Sequence, residues 1–137
     1  DSKNRINIPA SLRKQFLTKD KKTFVVTRGI DQCAWIYPIN EWNFIQNELK
    51  QLSSLSKTNR IFLRNHLRHA NILKFDSQGR FVLPQSLIDY SAIKKDVTII
   101  GVLNKIEIWN PNLLRKIDQS DEIDDQSYEE LSERVNI

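Results

Sequence analysis

Asp1-Ser2-Lys3-Asn4-Arg5-Ile6-Asn7-Ile8-Pro9-Ala10-Ser11-Leu12 is matched, 75 residues later, by Asp76-Ser77-Gln78-Gly79-Arg80-Phe81-Val82-Leu83-Pro84-Gln85-Ser86-Leu87. Asp, Ser, Arg, Pro, Ser and Leu are identical in register, six of the twelve positions. Each copy reads as a turn, a short half-buried strand and a helix. Gly79 reaches positive φ without steric cost, and Asn4 is the next best residue for it. The alternation of Ile6 and Ile8, or of Phe81 and Leu83, marks a strand with one buried face. Pro9 and Pro84 suit the first turn of the helices predicted over Ala10–Phe16 and Gln85–Tyr90.

The likeness continues along both halves. Phe24-Val25-Val26-Thr27-Arg28-Gly29-Ile30 parallels Asp96-Val97-Thr98-Ile99-Ile100-Gly101-Val102, and Ala34-Trp35-Ile36-Tyr37-Pro38 parallels Ile106-Glu107-Ile108-Trp109-Asn110. A period of this size signals a duplicated structural unit. Each unit adds two strands, with tight turns expected at Asp31-Gln32 and at Asn104-Lys105. Ile72-Leu73-Lys74-Phe75 supplies a strand ahead of the second copy. The first copy shows no equivalent, so one N-terminal strand is expected to be missing from it. Between the copies, helical spacing predicts Glu41–Leu52, opening after Asn40, and Thr58–Ala70, with Arg60, Arg64 and Arg68 in one row. Asn112–Ile117 is a further predicted helix. The expected organisation is a first unit over 1–52, a connecting helix over 53–70, a second unit over 71–117 and an acidic tail over 118–137.

Charge is unevenly distributed. Asp118 to Glu133 holds eight acidic residues and no Lys or Arg. Setting those eight aside from the 17 acidic residues leaves nine against 21 basic ones, a net of +12 rather than +4. A basic body with an acidic tail suits a polyanionic partner, although a solvated surface has the same composition. No stretch approaches the roughly 20 apolar residues of a membrane helix, and no secretory leader is visible. The single cysteine, Cys33, rules out an internal disulfide framework and fits a reducing, cytoplasmic location. His66 and His69 have no further ligand at metal-binding spacing, Cys33 has no catalytic partner nearby, and Trp35, Trp42 and Trp109 read as core residues. With three glycines there is little material for a phosphate-cradling loop. No enzyme and no cofactor are expected.

The paired Asp-x-x-x-Arg turns resemble the MraZ family, within the wider group of AbrB-like swapped-hairpin domains. Val26-Thr27-Arg28-Gly29-Ile30-Asp31, Tyr37-Pro38-Ile39-Asn40-Glu41-Trp42 and Ile100-Gly101 with Ile106-Glu107-Ile108-Trp109 agree with it, from Asp1 to about Ile117. The resemblance implies an α+β fold of two tandem swapped-hairpin units forming a pseudo-twofold β-barrel with helices outside. It implies a nucleoid-associated transcription regulator that binds repeated elements of double-stranded DNA at the cell-division and cell-wall gene cluster. A ring-like homo-oligomer is implied too. Asn4 stands where the family usually has Gly, and Gln78 replaces the charge that Lys3 supplies, so the first copy should contribute more to DNA contact.

The candidate DNA contacts are Arg5 and Arg80, supported by Lys3, Arg13, Lys14 and Arg28. A guanidinium at a strand end can reach phosphate or a guanine edge. The alternative for Arg5 and Arg80 is an internal tie to Asp1 and Asp76. The rival function is an antitoxin-like protein-interaction module, favoured by the acidic tail. RNA binding lacks the exposed aromatic residues that stack bases.

Overall fold

The computed structural model describes residues 4–16, 23–119 and 124–135. The described residues form a mixed α+β structure of two antiparallel sheets and six helices. The first repeat supplies β1 (Arg5–Asn7), α1 (Ala10–Phe16), β2 (Thr23–Arg28) and β3 (Ala34–Pro38), followed by α2 (Ile39–Leu49) and α3 (Lys57–Arg68). The second supplies β4 (Asn71–Lys74), β5 (Arg80–Val82), α4 (Gln85–Ser91), β6 (Thr98–Val102) and β7 (Lys105–Trp109), then α5 (Pro111–Asp118) and α6 (Asp125–Arg134).

The repeats interleave. β1 pairs with β5, and the larger sheet runs β4-β2-β3-β7-β6. Strand β4, which leads into the second repeat, therefore extends the hairpin of the first. The β3–β7 register sets Trp35 opposite Glu107, with Ala34 opposite Ile108 and Ile36 opposite Ile106. Exchanging the repeats reproduces the same pairs, and the β1–β5 pairing has the same property about Ile6 and Phe81. Local two-fold symmetry therefore relates the central strands. Among the described residues the larger sheet ends at β4 and β6, and no closed barrel forms.

Strands β2 and β3 are buried on both faces. Phe24, Val26, Ala34, Ile36, Ile106 and Ile108 pack toward the β1–β5 ribbon, with Ile6, Ile8, Phe81, Leu83 and Leu87. Phe24, Phe75 and Phe81 form an aromatic trio, with centroids 4.3 and 5.0 Å from Phe24. The opposite face carries Val25, Cys33, Trp35, Tyr37 and Trp109, joined by Trp42 of α2. All three tryptophans are core residues, as expected. Glu107 accepts both indole N–H groups of Trp35 and Trp109, each at 3.1 Å, so neither buried donor lacks an acceptor.

Several boundaries differ from the sequence reading. The β6–β7 turn is Leu103-Asn104 rather than Asn104-Lys105, since Val102 pairs with Lys105 and Leu103 takes φ 53°. A two-residue hairpin loop needs positive φ at such a position, and strand register imposes it on a leucine. The β2–β3 connection is not a tight turn at Asp31-Gln32. It is a five-residue loop from Gly29 to Cys33, closed by Gly29 N–H donating to the Cys33 carbonyl at 2.9 Å. Helix α2 starts at Ile39, after Pro38, with no side-chain cap, so Asn40 lies inside it. Ser56 caps α3 through the Asn59 N–H, and Asn110 caps α5 through the Asn112 N–H. The tail contains a helix, α6, capped by Asp124.

Candidate nucleic-acid interface

The β1–β5 ribbon brings the two Asp-x-x-x-Arg copies together. Because side chains alternate across a strand, Ile6 and Phe81 face inward while Arg5, Asn7, Arg80 and Val82 share the outer face. Arg5 is opposite Val82 and Arg80 opposite Asn7. The two arginines are thus diagonal neighbours, about 7–8 Å apart at the backbone. Reciprocal bonds extend the pairing: Ile8 N–H donates to the Gly79 carbonyl at 3.4 Å and Leu83 N–H to the Asn4 carbonyl at 3.0 Å.

The second turn is held by Asp76. Its carboxylate accepts the backbone N–H groups of Gln78 at 2.8 Å and Arg80 at 2.9 Å. Its other oxygen accepts Arg80 Nε at 3.0 Å. The backbone N–H of Arg80, chiefly, holds the Asp76 carboxyl below its usual pKa. The internal tie anticipated for this copy is therefore present. It engages Nε and leaves the terminal guanidinium nitrogens without a partner among the described residues, so the carboxylate also aims the arginine. The corresponding residue Asp1 lies outside the described residues, as does Lys3.

Arg13 ties the repeats to each other. Its Nε donates to the Ile8 carbonyl at 2.9 Å. Its guanidinium covers Gly79 so closely that a Cβ added there would collide with it. Gly79, at φ 77°, takes the left-handed backbone that Asn4 takes at φ 60°, and a Cβ there would also displace the end of the Arg13 side chain. Across the ribbon, Asn4 at φ 60° donates through Nδ2 to Gln85 Oε1 at 3.3 Å. Lys14 is exposed on α1. Arg28 lies elsewhere, its guanidinium 3.9 Å above the ring of Tyr90, whose hydroxyl reaches the Gly29 carbonyl at 3.1 Å.

Two lysines went unremarked in the sequence reading. Lys94 and Lys95 share a recess of about 130 Å³ with Asn4 and Arg5. Their signal lay in the repeat itself, since Lys21-Lys22 stands near the equivalent place in the first copy. The other candidate chemistries have structural explanations. Burial, followed by the nearby Glu107 and Asp31 charges, pushes the Cys33 thiol up to about 12. His66 is buried, stacked on Phe62 at 5.6 Å, and burial lowers its pKa. Among the described residues no group of His, Cys, Asp and Glu could hold a metal, and no helix is long and apolar enough to cross a membrane.

The model of the MraZ protein family, which its description also terms antitoxin-like, matches twice, over residues 1–65 and 66–135. The chain belongs to the MraZ family. A transcriptional regulator MraZ of Clostridium botulinum is 40% identical over 99% of this chain and 90% of its own length. The transcriptional regulator MraZ of Natranaerobius thermophilus is 39% identical over 98% and 90%, and that of Pediococcus pentosaceus 35% identical over the same shares. The two MraZ matches coincide with the two repeats whose strands interleave in the ribbon.

Proposed function

We propose that this MraZ-family chain is a DNA-binding transcriptional regulator whose reading element is the β1–β5 ribbon. The observation that carries the proposal is the placement of Arg5 and Arg80 on one outer face of a two-stranded ribbon. A ribbon of this width fits the major groove of B-DNA, and arginine is the side chain best suited to a guanine edge or a phosphate. Arg13, Lys14, Lys94 and Lys95 surround it with positive charge, and Lys3 precedes it in sequence. Arg28, engaged by Tyr90, contributes less.

The proposed architecture is a pair of swapped-hairpin units, 1–52 and 71–117, closing a pseudo-twofold barrel with helices outside. The proposed partner is double-stranded DNA carrying short promoter repeats, including those of the cell-division and cell-wall cluster, bound by a cytoplasmic, nucleoid-associated, ring-like homo-oligomer. Each ribbon contact is small, and assembly on repeated elements multiplies it through effective concentration. The test is a single-element duplex titrated by fluorescence anisotropy. Arg5→Ala and Arg80→Ala should each weaken binding by about tenfold or more, corresponding to roughly 1–3 kcal/mol for a bidentate contact. Removing one phosphate-binding cation should flatten the salt slope by about 0.9. Unchanged affinity in both folded variants would remove the ribbon from the interface.

A further inference from the structure

The outer face of the β1–β5 ribbon is a grid of four side chains. Arg5 stands opposite Val82 in one row and Asn7 opposite Arg80 in the next. The arginines therefore occupy one diagonal, and Asn7 and Val82 the other. Exchanging the repeats sets Arg5 on Arg80 but Asn7 on Val82. One diagonal keeps the local two-fold symmetry and the other breaks it. Neither member of the second diagonal serves the interior of the chain. Asn7 is exposed, and its side-chain amide has no hydrogen-bond partner among the described residues. Val82 is 55% exposed and belongs to neither core, although Phe81 and Leu83 on either side of it are buried. The polar side chains beside the ribbon are by contrast engaged with one another, Asn4 with Gln85 and Gln85 with Asp89.

We propose that Asn7 and Val82 determine specificity, making the ribbon read a non-palindromic element in one orientation; the inference rests on the ribbon being the DNA-reading element. A ribbon docked on its local two-fold axis turns one repeat toward each DNA strand, and a symmetric protein surface selects a symmetric site. Arg5 and Arg80 alone would act in this way, each meeting an equivalent guanine or phosphate, and would give the element no direction. Asn7 and Val82 supply the direction. A side-chain amide pairs bidentately with the N6 and N7 edge of adenine, whereas an exposed apolar side chain packs on the methyl group of thymine. Asn7 thus selects an adenine on one strand and Val82 a thymine on the other. Reversing the element sets the Asn7 amide against a methyl group, where it loses its partner, and sets Val82 against the polar edge of adenine.

The test is selection of bound duplexes from a randomised library by the full chain, followed by anisotropy on the selected duplex, with circular dichroism as a check on folding. The wild-type chain should select a non-palindromic element, and replacing the adenine read by Asn7 should weaken binding about tenfold. Asn7→Val should remove that discrimination. Val82→Asn, which places the amide in both repeats, should select an inverted repeat. The double variant Asn7→Val/Val82→Asn should recover the asymmetry of the wild-type element, a rescue that a merely structural role for either residue does not give. A palindromic wild-type element, or an element unchanged in both folded single variants, would overturn this inference alone, provided Arg5→Ala and Arg80→Ala still weaken binding. No selected element, or one bound equally well by the Arg5→Ala and Arg80→Ala chains, would overturn the ribbon reading and this inference with it.

Discussion

His66 shows how a residue with apparent functional chemistry becomes structural. Its ring lies 5.6 Å from Phe62, 5.8 Å from Trp42 and 6.1 Å from Trp35, while Thr27 Oγ1 donates to its backbone carbonyl at 2.6 Å. Charging an imidazole in this cluster is unfavourable, and its pKa falls below 6.5, first through burial. The unfolded chain therefore takes up the proton more readily. The resulting stability is present above pH 6.5 and is lost as pH falls toward the folded-state pKa. His66→Phe should flatten that part of the stability–pH profile in urea titrations. A profile identical to wild type would show that His66 is not the group responsible. Positive-φ Asn4 and Gly79 were legible because those residue types adopt that backbone. Leu103 was not, because its φ opposes its own preference and is imposed by the register of β6 with β7.

At the scale of elements, the turns and strands of each copy could be read locally, whereas their pairing could not. Nothing local to Arg5-Ile6-Asn7 says that its partner is Arg80-Phe81-Val82; that follows only when two repeats face each other. The approach of Arg13 to Gly79 has the same origin, and it makes a prediction. Gly79→Ala combines an unfavourable φ with displacement of the Arg13 guanidinium, and should cost about 1–2 kcal/mol from the left-handed backbone alone. Arg13→Ala in the same background should recover only the part due to the clash. Chemical denaturation of the two variants and the double variant measures both terms. A Gly79→Ala protein as stable as wild type would contradict the account of the turn. The sequence offered an internal tie to Asp76 as the alternative role for Arg80, and the structure adds that the same carboxylate organises the backbone from which Arg80 projects. Lys94 and Lys95, between a helix and a strand, have no local periodicity to mark them, and only the alignment of the two copies, with Lys21-Lys22 near the equivalent place, points to them.

At the scale of the molecule, duplication accounts for the arrangement. Two short units whose strands interleave produce one β3–β7 seam, centred on Trp35 and Glu107, and one outer ribbon bearing both arginines. The repeat made this duplication plain in the sequence. Among the described residues the larger sheet ends at β4 and β6, an arrangement that local patterns do not disclose. The central claim is that the ribbon recognises duplex DNA by sequence. Its most direct test is anisotropy of the wild-type chain on a duplex with tandem short promoter repeats, against a scrambled duplex of equal length and charge, across a salt series. The account predicts tighter binding to the repeats at every salt concentration, with affinity falling steeply as salt rises for both duplexes. Equal affinity for the two, or no binding by the folded chain, would contradict it.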